Sequence, residues 1–302
     1  MSKDLAIVIP AYKKQFFMKA LNSIANQTSK NFTLYIGDDD SKDDLYSIVR
    51  IFEKDMNIVY KKFDFNLGSI SLTKQWERCI NLSKNEKYIW LFSDDDIAPP
   101  EAVQMFYETI RTNGSSHDLY RFNICYIDQY GNEKGEISSH PGHETSEDFI
   151  KSRLQFQTLS SACEYIFSRK VFDRYGFIDF PLAWCADDAT WAVFGKEHGI
   201  ITIPSQPVQF RLSGFNISTD NTLNNVKFNS VLLFLKWCRL HFHSVDNKLT
   251  TIHLAGQIRI LNISFIKRIS FCFQFLYLVG FWYTIALIIK KAMLYRLIKL
   301  YE

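Results

Sequence analysis

The stretch YIWLFSDDDIAPPE, residues 88–101, decides the reading of this chain. Five large apolar residues run directly into Asp94, Asp95 and Asp96. A short continuous apolar run bounded by polar residues and prolines predicts a strand buried on both faces. Three adjacent carboxylates repel one another, so the cluster requires water, a cation or strong donors to neutralise it. One of them could cap a helix starting at Pro99 or Pro100. Capping explains one carboxylate and not three.

Outward from this stretch, LAIVIP (5–10), FTLYIG (32–37) and NIVYKKF (57–63) read as further strands. Between them, Phe17, Ala20, Leu21 and Ile24 fall at helical spacing. Residues 45–52 and SLTKQWERCINL (71–82) also read as helices. Strand and helix alternate through roughly the first hundred residues, which predicts an open α/β sheet. Ligands bind such sheets at the carboxyl ends of the strands. Two acidic clusters, GDDDSKDD (37–44) and the Asp94 triplet, both fall there, where a cation and a phosphate could join them. Past Pro99 the pattern predicts helices over 102–112 and 187–197. Strands are expected within HDLYRFNICYI (117–127), CEYIFS (163–168) and PVQFRL (207–212). The segment SSHPGHETSED (138–148), rich in Gly, His and Ser, reads as a loop and a candidate for acceptor binding.

A third acidic motif is WCADDATW, residues 184–191. Asp187 and Asp188 open a predicted helix, where the helix dipole favours carboxylates. Paired carboxylates beside Trp184 and Trp191 also suit a general base, one member raised in pKa by the other. Either tryptophan could stack on a sugar or fill the core. The stretch alone leaves these readings open.

The chain has 302 residues, 47% of them hydrophobic, enough for one large or two small domains. Its net charge of +3 is unevenly spread: from Asn221 on there are eleven Lys/Arg against two acids, leaving 24 basic against 30 acidic residues before it. A basic tail on an acidic body predicts a negative partner, a membrane surface or a nucleic acid. The lysines alternate with long apolar runs rather than forming a solvated patch, which argues against nucleic acid. Residues 269–289 carry no charge and are flanked by Lys267-Arg268 and Lys290-Lys291. They could span a bilayer core of ~30 Å as one transmembrane helix, or lie against the membrane as a hairpin. KKAMLYRLIKLYE (290–302) places Leu294, Leu297, Ile298 and Tyr301 on one helical face, as an interfacial helix would. Six scattered cysteines without zinc spacing fit a reduced, intracellular compartment. The N-terminus reads as lacking a signal peptide.

The ordered set AIVIPAYKK, IGDDDSKDD, NLGS, WLFSDDDIAPP and CADDATW resembles family 2 glycosyltransferases of the GT-A fold, over about residues 5 to 215. FRLSGFNIS (210–218) also resembles a segment of bacterial polysaccharide-assembly members. The resemblance implies a GT-A catalytic domain over 1–220, and the charge and hydropathy of 221–302 predict a helical, membrane-associating region there. It implies a nucleotide-diphospho-sugar donor, UDP by default, gripped by Pro10, Ala11 and Tyr12, with Asp39 on the uracil. Asn66, Gly68 and Asp94 would complete the donor site. Asp94 and Asp96 fit an Asp-x-Asp motif for Mn2+ or Mg2+. A shifted register makes Asp95 the main ligand, so all three are candidates. Asp188 would be the base, and Asp187 would hold the acceptor with Trp184 and Trp191. The late histidine that some relatives supply to the metal is absent from 205–219. The implied reaction is inverting transfer of the sugar to a hydroxyl of a lipid-linked saccharide. It would serve cell-surface polysaccharide synthesis (O-antigen or capsule) at the cytoplasmic face of the inner membrane. A phosphatase of the haloacid dehalogenase type competes, but its Asp-x-Asp normally follows the first strand and not the fourth. A nucleotidyltransferase would need a Gly-rich, Lys-bearing loop after the first strand, and none is present. A non-catalytic, membrane-docked sugar-nucleotide-binding protein is opposed by three intact acidic clusters.

Overall fold

The computed structural model describes residues 4–114 and 116–289. The expected interfacial helix over 290–302 lies outside the described residues. The four apolar runs form β1 (Leu5–Ala11), β2 (Phe32–Asp38), β3 (Ile58–Lys62) and β4 (Tyr88–Leu91), separated by α1 (Phe17–Ala25), α2 (Tyr46–Val49) and α3 (Leu72–Ile80). All four strands are parallel, in the order β3-β2-β1-β4. The chain steps outward from β1 to β3, then returns to the other side of β1 with β4. The strand order therefore reverses between β1 and β4, and a crevice opens at such a point.

After α4 (Ala102–Asn113) come β5 (Leu119–Arg121), β6 (Ile124–Asp128), β7 (Glu133–Lys134), β8 (His143–Glu144), α5 (Ser146–Leu154), β9 (Tyr165–Ser168), α6 (Arg169–Tyr175), α7 (Ala186–Phe194), β10 (Ile200–Thr202) and β11 (Val208–Leu212). β9 inserts antiparallel between β4 and β5, extending the sheet to β3-β2-β1-β4-β9-β5-β10-β8. A second sheet, β11-β6-β7, stands apart. The apolar run at 117–127 is thus two strands in two sheets. The expected loop at 138–148 is partly helix: Thr145 caps α5, accepting from the Asp148 N–H at 3.1 Å, and Glu147 and Asp148 favour its first turn.

The acceptor role expected of Trp191 is corrected here. Its side chain is fully buried and stacks on Tyr165, centroids 4.6 Å apart. An indole enclosed this way cannot meet a sugar.

The C-terminal region is α8 (Asn224–His241), α9 (Asn247–Ile260), α10 (Phe265–Ser270), α11 (Cys272–Val279) and α12 (Phe281–Ile289). α8 packs on α7 and on the turn at 181–183, α9 packs on α5, and α11 and α12 pack on α9. Phe228, Phe234, Leu254, Phe275 and Leu287 join Phe149 and Trp191 in one apolar cluster. The transmembrane helix considered for 269–289 does not form. α10 stops at Ser270, and α11 is ended by Gly280, whose φ of +79° is a backbone state that favours glycine. Among the described residues no helix is long and apolar enough to cross a membrane.

Trp191→Ala should lower the unfolding free energy by about 3–5 kcal/mol in chemical denaturation. Unchanged stability would return this side chain to the surface.

Candidate active site

An open crevice of about 450 Å³ lies at the carboxyl ends of β1, β2 and β4. That volume falls in the usual range for small-molecule sites. Of the residues expected to bind donor or metal, it brings together Pro10, Tyr12, Asp39, Asn66, Gly68, Asp94 and Asp95. Ala11 is buried and acts through its carbonyl, which accepts from the Asp39 N–H at 2.9 Å.

The three aspartates are not equivalent. Asp94 Oδ2 accepts from the backbone N–H groups of Tyr12 (2.9 Å) and Lys13 (3.1 Å). Asp96 is fully buried and does not line the crevice; its Oδ1 accepts from the Arg211 N–H at 2.8 Å. Arg211 reinforces this loop, donating from Nε to the Asp95 carbonyl (2.8 Å) and from Nη1 to the Asp128 carbonyl (3.0 Å). Burial, then repulsion from Asp96 and Asp94, pushes the Asp95 carboxyl up to about 8. Burial raises Asp96 to about 6. None of the three caps α4, whose N-cap position, Glu101, has no side-chain cap bond.

The second cluster is split in the same way. Asp38 is buried and accepts from the Ser41 N–H at 2.7 Å and from the Tyr60 hydroxyl. Asp39 grips the NLGS loop: Oδ1 accepts from the Leu67 N–H (2.7 Å) and from Arg78 (2.6 Å), and Oδ2 from the Gly68 N–H (2.8 Å). A Cβ on residue 68 would sit 2.6 Å from Asp39 Oδ2, so glycine is required for this approach. Arg78 lies over the rings of Phe63 (3.8 Å) and Phe65 (4.9 Å), which fixes its plane.

The third pair does not line the crevice. Asp188 is buried and held by Arg153 of α5 through two parallel bonds, Nε to Oδ1 and Nη2 to Oδ2, both 2.8 Å. Asp187 is half-buried; burial and the neighbouring Asp188 push it up to about 7. Between this pair and the crevice runs the turn 162–164. Ala162 lines the crevice, and the buried Glu164 is under the charges of Arg121, Arg153 and the two aspartates. Trp184 is partly buried, with Lys227 Nζ 4.9 Å from its ring.

Sequence reasoning passed over Arg78, Arg153 and Arg211. Arg78 and Arg211 lie in elements whose pattern alone reads as an amphipathic helix or a strand, and Arg153 lies in α5, whose pattern gives no helix. For a divalent cation, the crevice is lined by two carboxylates of the triplet, Asp94 and Asp95. Burial and the two neighbouring carboxylates raise the proton affinity of Asp95, an effect that a bound cation would offset, and one or two carboxylates plus substrate phosphates is a common Mg2+ or Mn2+ donor set. The residues present therefore fit such an ion.

The raised carboxyls fix a sign. Asp95 (about 8) and Asp187 (about 7) lie above the unfolded value, so the folded chain binds more protons from about pH 4 to pH 8, and stability falls as pH rises through that window. Between pH 7.5 and 9 the histidines have finished titrating and drop out. In EDTA the melting temperature should fall across this interval, and Asp95→Asn should fall less. Mn2+ should raise the wild-type melting temperature more at pH 9 than at pH 7.5. Equal slopes for wild type and variant would contradict the Asp95 reading.

Several known proteins share this architecture. The structure of S. aureus TarS 1–349 in complex with UDP-GlcNAc superposes with a TM-score of 0.66 at 16% identity, covering 95% of this chain and 82% of that one. The mannosyltransferase PcManGT from Pyrobaculum calidifontis, in complex with GDP-Man and Mn2+, superposes at 0.53 with 12% identity, over 98% of this chain and 79% of its own. These likenesses establish the GT-A fold. In sequence, the GalNAc(5)-diNAcBac-PP-undecaprenol beta-1,3-glucosyltransferase of Campylobacter jejuni is 24% identical over 192 residues, 60% of this chain and 58% of the relative. The chain thus spans less than two thirds of that relative's length. The profile of glycosyl transferase family 2 matches residues 6–179, more than half of the chain, and the chain belongs to that family.

Proposed function

We propose that the protein transfers a sugar from a UDP-sugar to a hydroxyl of a lipid-linked saccharide, with inversion, in cell-surface glycan synthesis. The observation that carries this is the crevice that gathers Pro10, Tyr12, Asp39, Asn66 and Gly68 with Asp94 and Asp95. The UDP-GlcNAc bound to TarS and the undecaprenol-linked saccharide in the Campylobacter enzyme's name support the donor and acceptor classes.

Asp94 and Asp95 would hold a divalent cation, which when bound neutralises the diphosphate leaving group as a Lewis acid. Asp39, through Leu67 and Gly68, shapes the nucleotide end of the crevice and fixes Arg78 beside it. The Asp187–Asp188 pair activates the acceptor. Family resemblance points to Asp188 as base. The geometry favours Asp187: both Asp188 oxygens are spent on Arg153, whereas the proton affinity of Asp187 is matched to neutral pH. Asp187 then takes the hydroxyl proton as the acceptor oxygen attacks the anomeric carbon opposite the leaving group. Asp188 and Arg153 position it.

The test is release of free UDP from a panel of nucleotide sugars, with Mn2+ or EDTA and with a lipid-linked saccharide acceptor. Metal-dependent release from one UDP-sugar is expected. No release and no UDP binding would overturn the proposal. For the base, kcat/KM should fall below about pH 7 in wild type. Asp187→Asn should lose about 10²-fold or more of activity together with that limb. Asp188→Asn should be slower but keep the limb; the reverse pattern would hand the role to Asp188.

A further inference from the structure

We infer that the outward faces of α10, α11 and α12 form a surface that rests on an anionic lipid bilayer. Ile266, Ile269, Phe273 and Tyr277 follow one another at i, i+3, i+7 and i+11, one face of a continuing helical path. Ile266, Phe273 and Tyr277 are 78%, 79% and 65% exposed, and Phe265 and Ile269 are exposed beside them. The opposite face is already used: Phe275, Leu278 and Val279 are buried in the core. The layer is therefore apolar on both sides, and among the described residues only one side is covered. Single exposed apolar residues are ordinary; a contiguous set of large ones marks an interaction surface.

Charge selects the occupant. From residue 247 through 301 the sequence holds no acid, while Lys267 and Arg268 lie within the apolar path and Lys290 and Lys291 follow it. Lys267 is exposed, Lys236 lies 5.2 Å from the Tyr277 ring, and Arg268 lies 5.8 Å from the Phe265 ring. Cations around apolar and aromatic side chains complement anionic headgroups over an acyl layer. A second copy of the same face would bring like charges together. Helices of six, eight and nine residues are too short to cross a bilayer and suit lying in its plane. α9 carries this layer, and α8, packed on α9 and α11, also packs on α7 and the 181–183 turn, so the docking face and the Asp187–Asp188 pair belong to one packed unit. The inference stands on the surface itself and extends the lipid-linked acceptor proposed above.

The experiment is flotation of the full chain with vesicles of 3:1 phosphatidylcholine:phosphatidylglycerol and of phosphatidylcholine alone, at 0.1 and 0.5 M NaCl, without donor or acceptor. The chain should float with the anionic vesicles, and less so at high salt or on neutral vesicles. Ile266→Ser and Phe273→Ser should each weaken partitioning about tenfold. Lys267→Glu should weaken it on anionic vesicles only. All three side chains are exposed, so melting temperature and UDP binding should stay at wild-type values. No flotation, or equal flotation of wild type and both serine variants, would overturn the inference. A lipid-free dimer in light scattering that Phe273→Ser dissolves would assign the face to a second copy and overturn it too. Because no sugar transfer is involved, a failed donor screen leaves this result standing, and the converse holds.

Discussion

Asp94 Oδ2, taking the backbone N–H groups of Tyr12 and Lys13, joins the carboxyl ends of β1 and β4. The crevice depends on this contact, because it closes the point where the strand order reverses. It also explains why three aspartates stand in a row. Asp94 is a strut to the loop after β1, and Asp96 is a buried strut to Arg211. Asp95 lines the crevice beside Asp94, where burial and its two acidic neighbours strongly raise its proton affinity. A cluster that looks redundant in sequence is one buried anchor, Asp96, and two carboxylates that line the crevice, of which Asp94 also ties down the loop after β1.

The same division recurs. Asp39 organises the NLGS loop and is paired with Arg78. Asp188 is paired with Arg153, and Asp187 is left half-buried beside it. Two clusters are ion-paired to an arginine, Asp39 to Arg78 of α3 and Asp188 to Arg153 of α5, while at the third Arg211 of β11 holds Asp96 by its backbone N–H and the Asp95 carbonyl by its guanidinium. Removing one partner of a buried pair leaves an uncompensated charge and typically costs more than the intact pair contributes. Arg78 and Arg153 are therefore as much part of the site as the carboxylates they hold.

β1 to β4 were legible because buried parallel strands are continuous apolar runs, and the position of the acidic clusters followed from strand order. The arginines were not legible, since a guanidinium on a helix reads as solvated until the partner's position is known. Trp191 misled because an indole beside a carboxylate looks the same in sequence whether it faces a sugar or Tyr165. The run 269–289 left spanning and lying against the membrane both open, because hydropathy counts composition and is blind to the positive φ at Gly280 that ends α11. α5 was hidden by a polar start whose residues, Thr145 to Asp148, are good caps and poor predictors of helix on their own.

The core shared between the sheet and the C-terminal helices has a consequence for how this chain can be handled or inherited. α8 covers α7, and α9 covers α5. A chain cut near residue 220 would lay bare Phe149, Trp191 and the element carrying Asp187, so the helices after it are no detachable anchor. Recombination or truncation between the two halves would yield an insoluble fragment. A soluble form is reached by recoding the outward side chains of α10 to α12 while leaving their inward faces untouched.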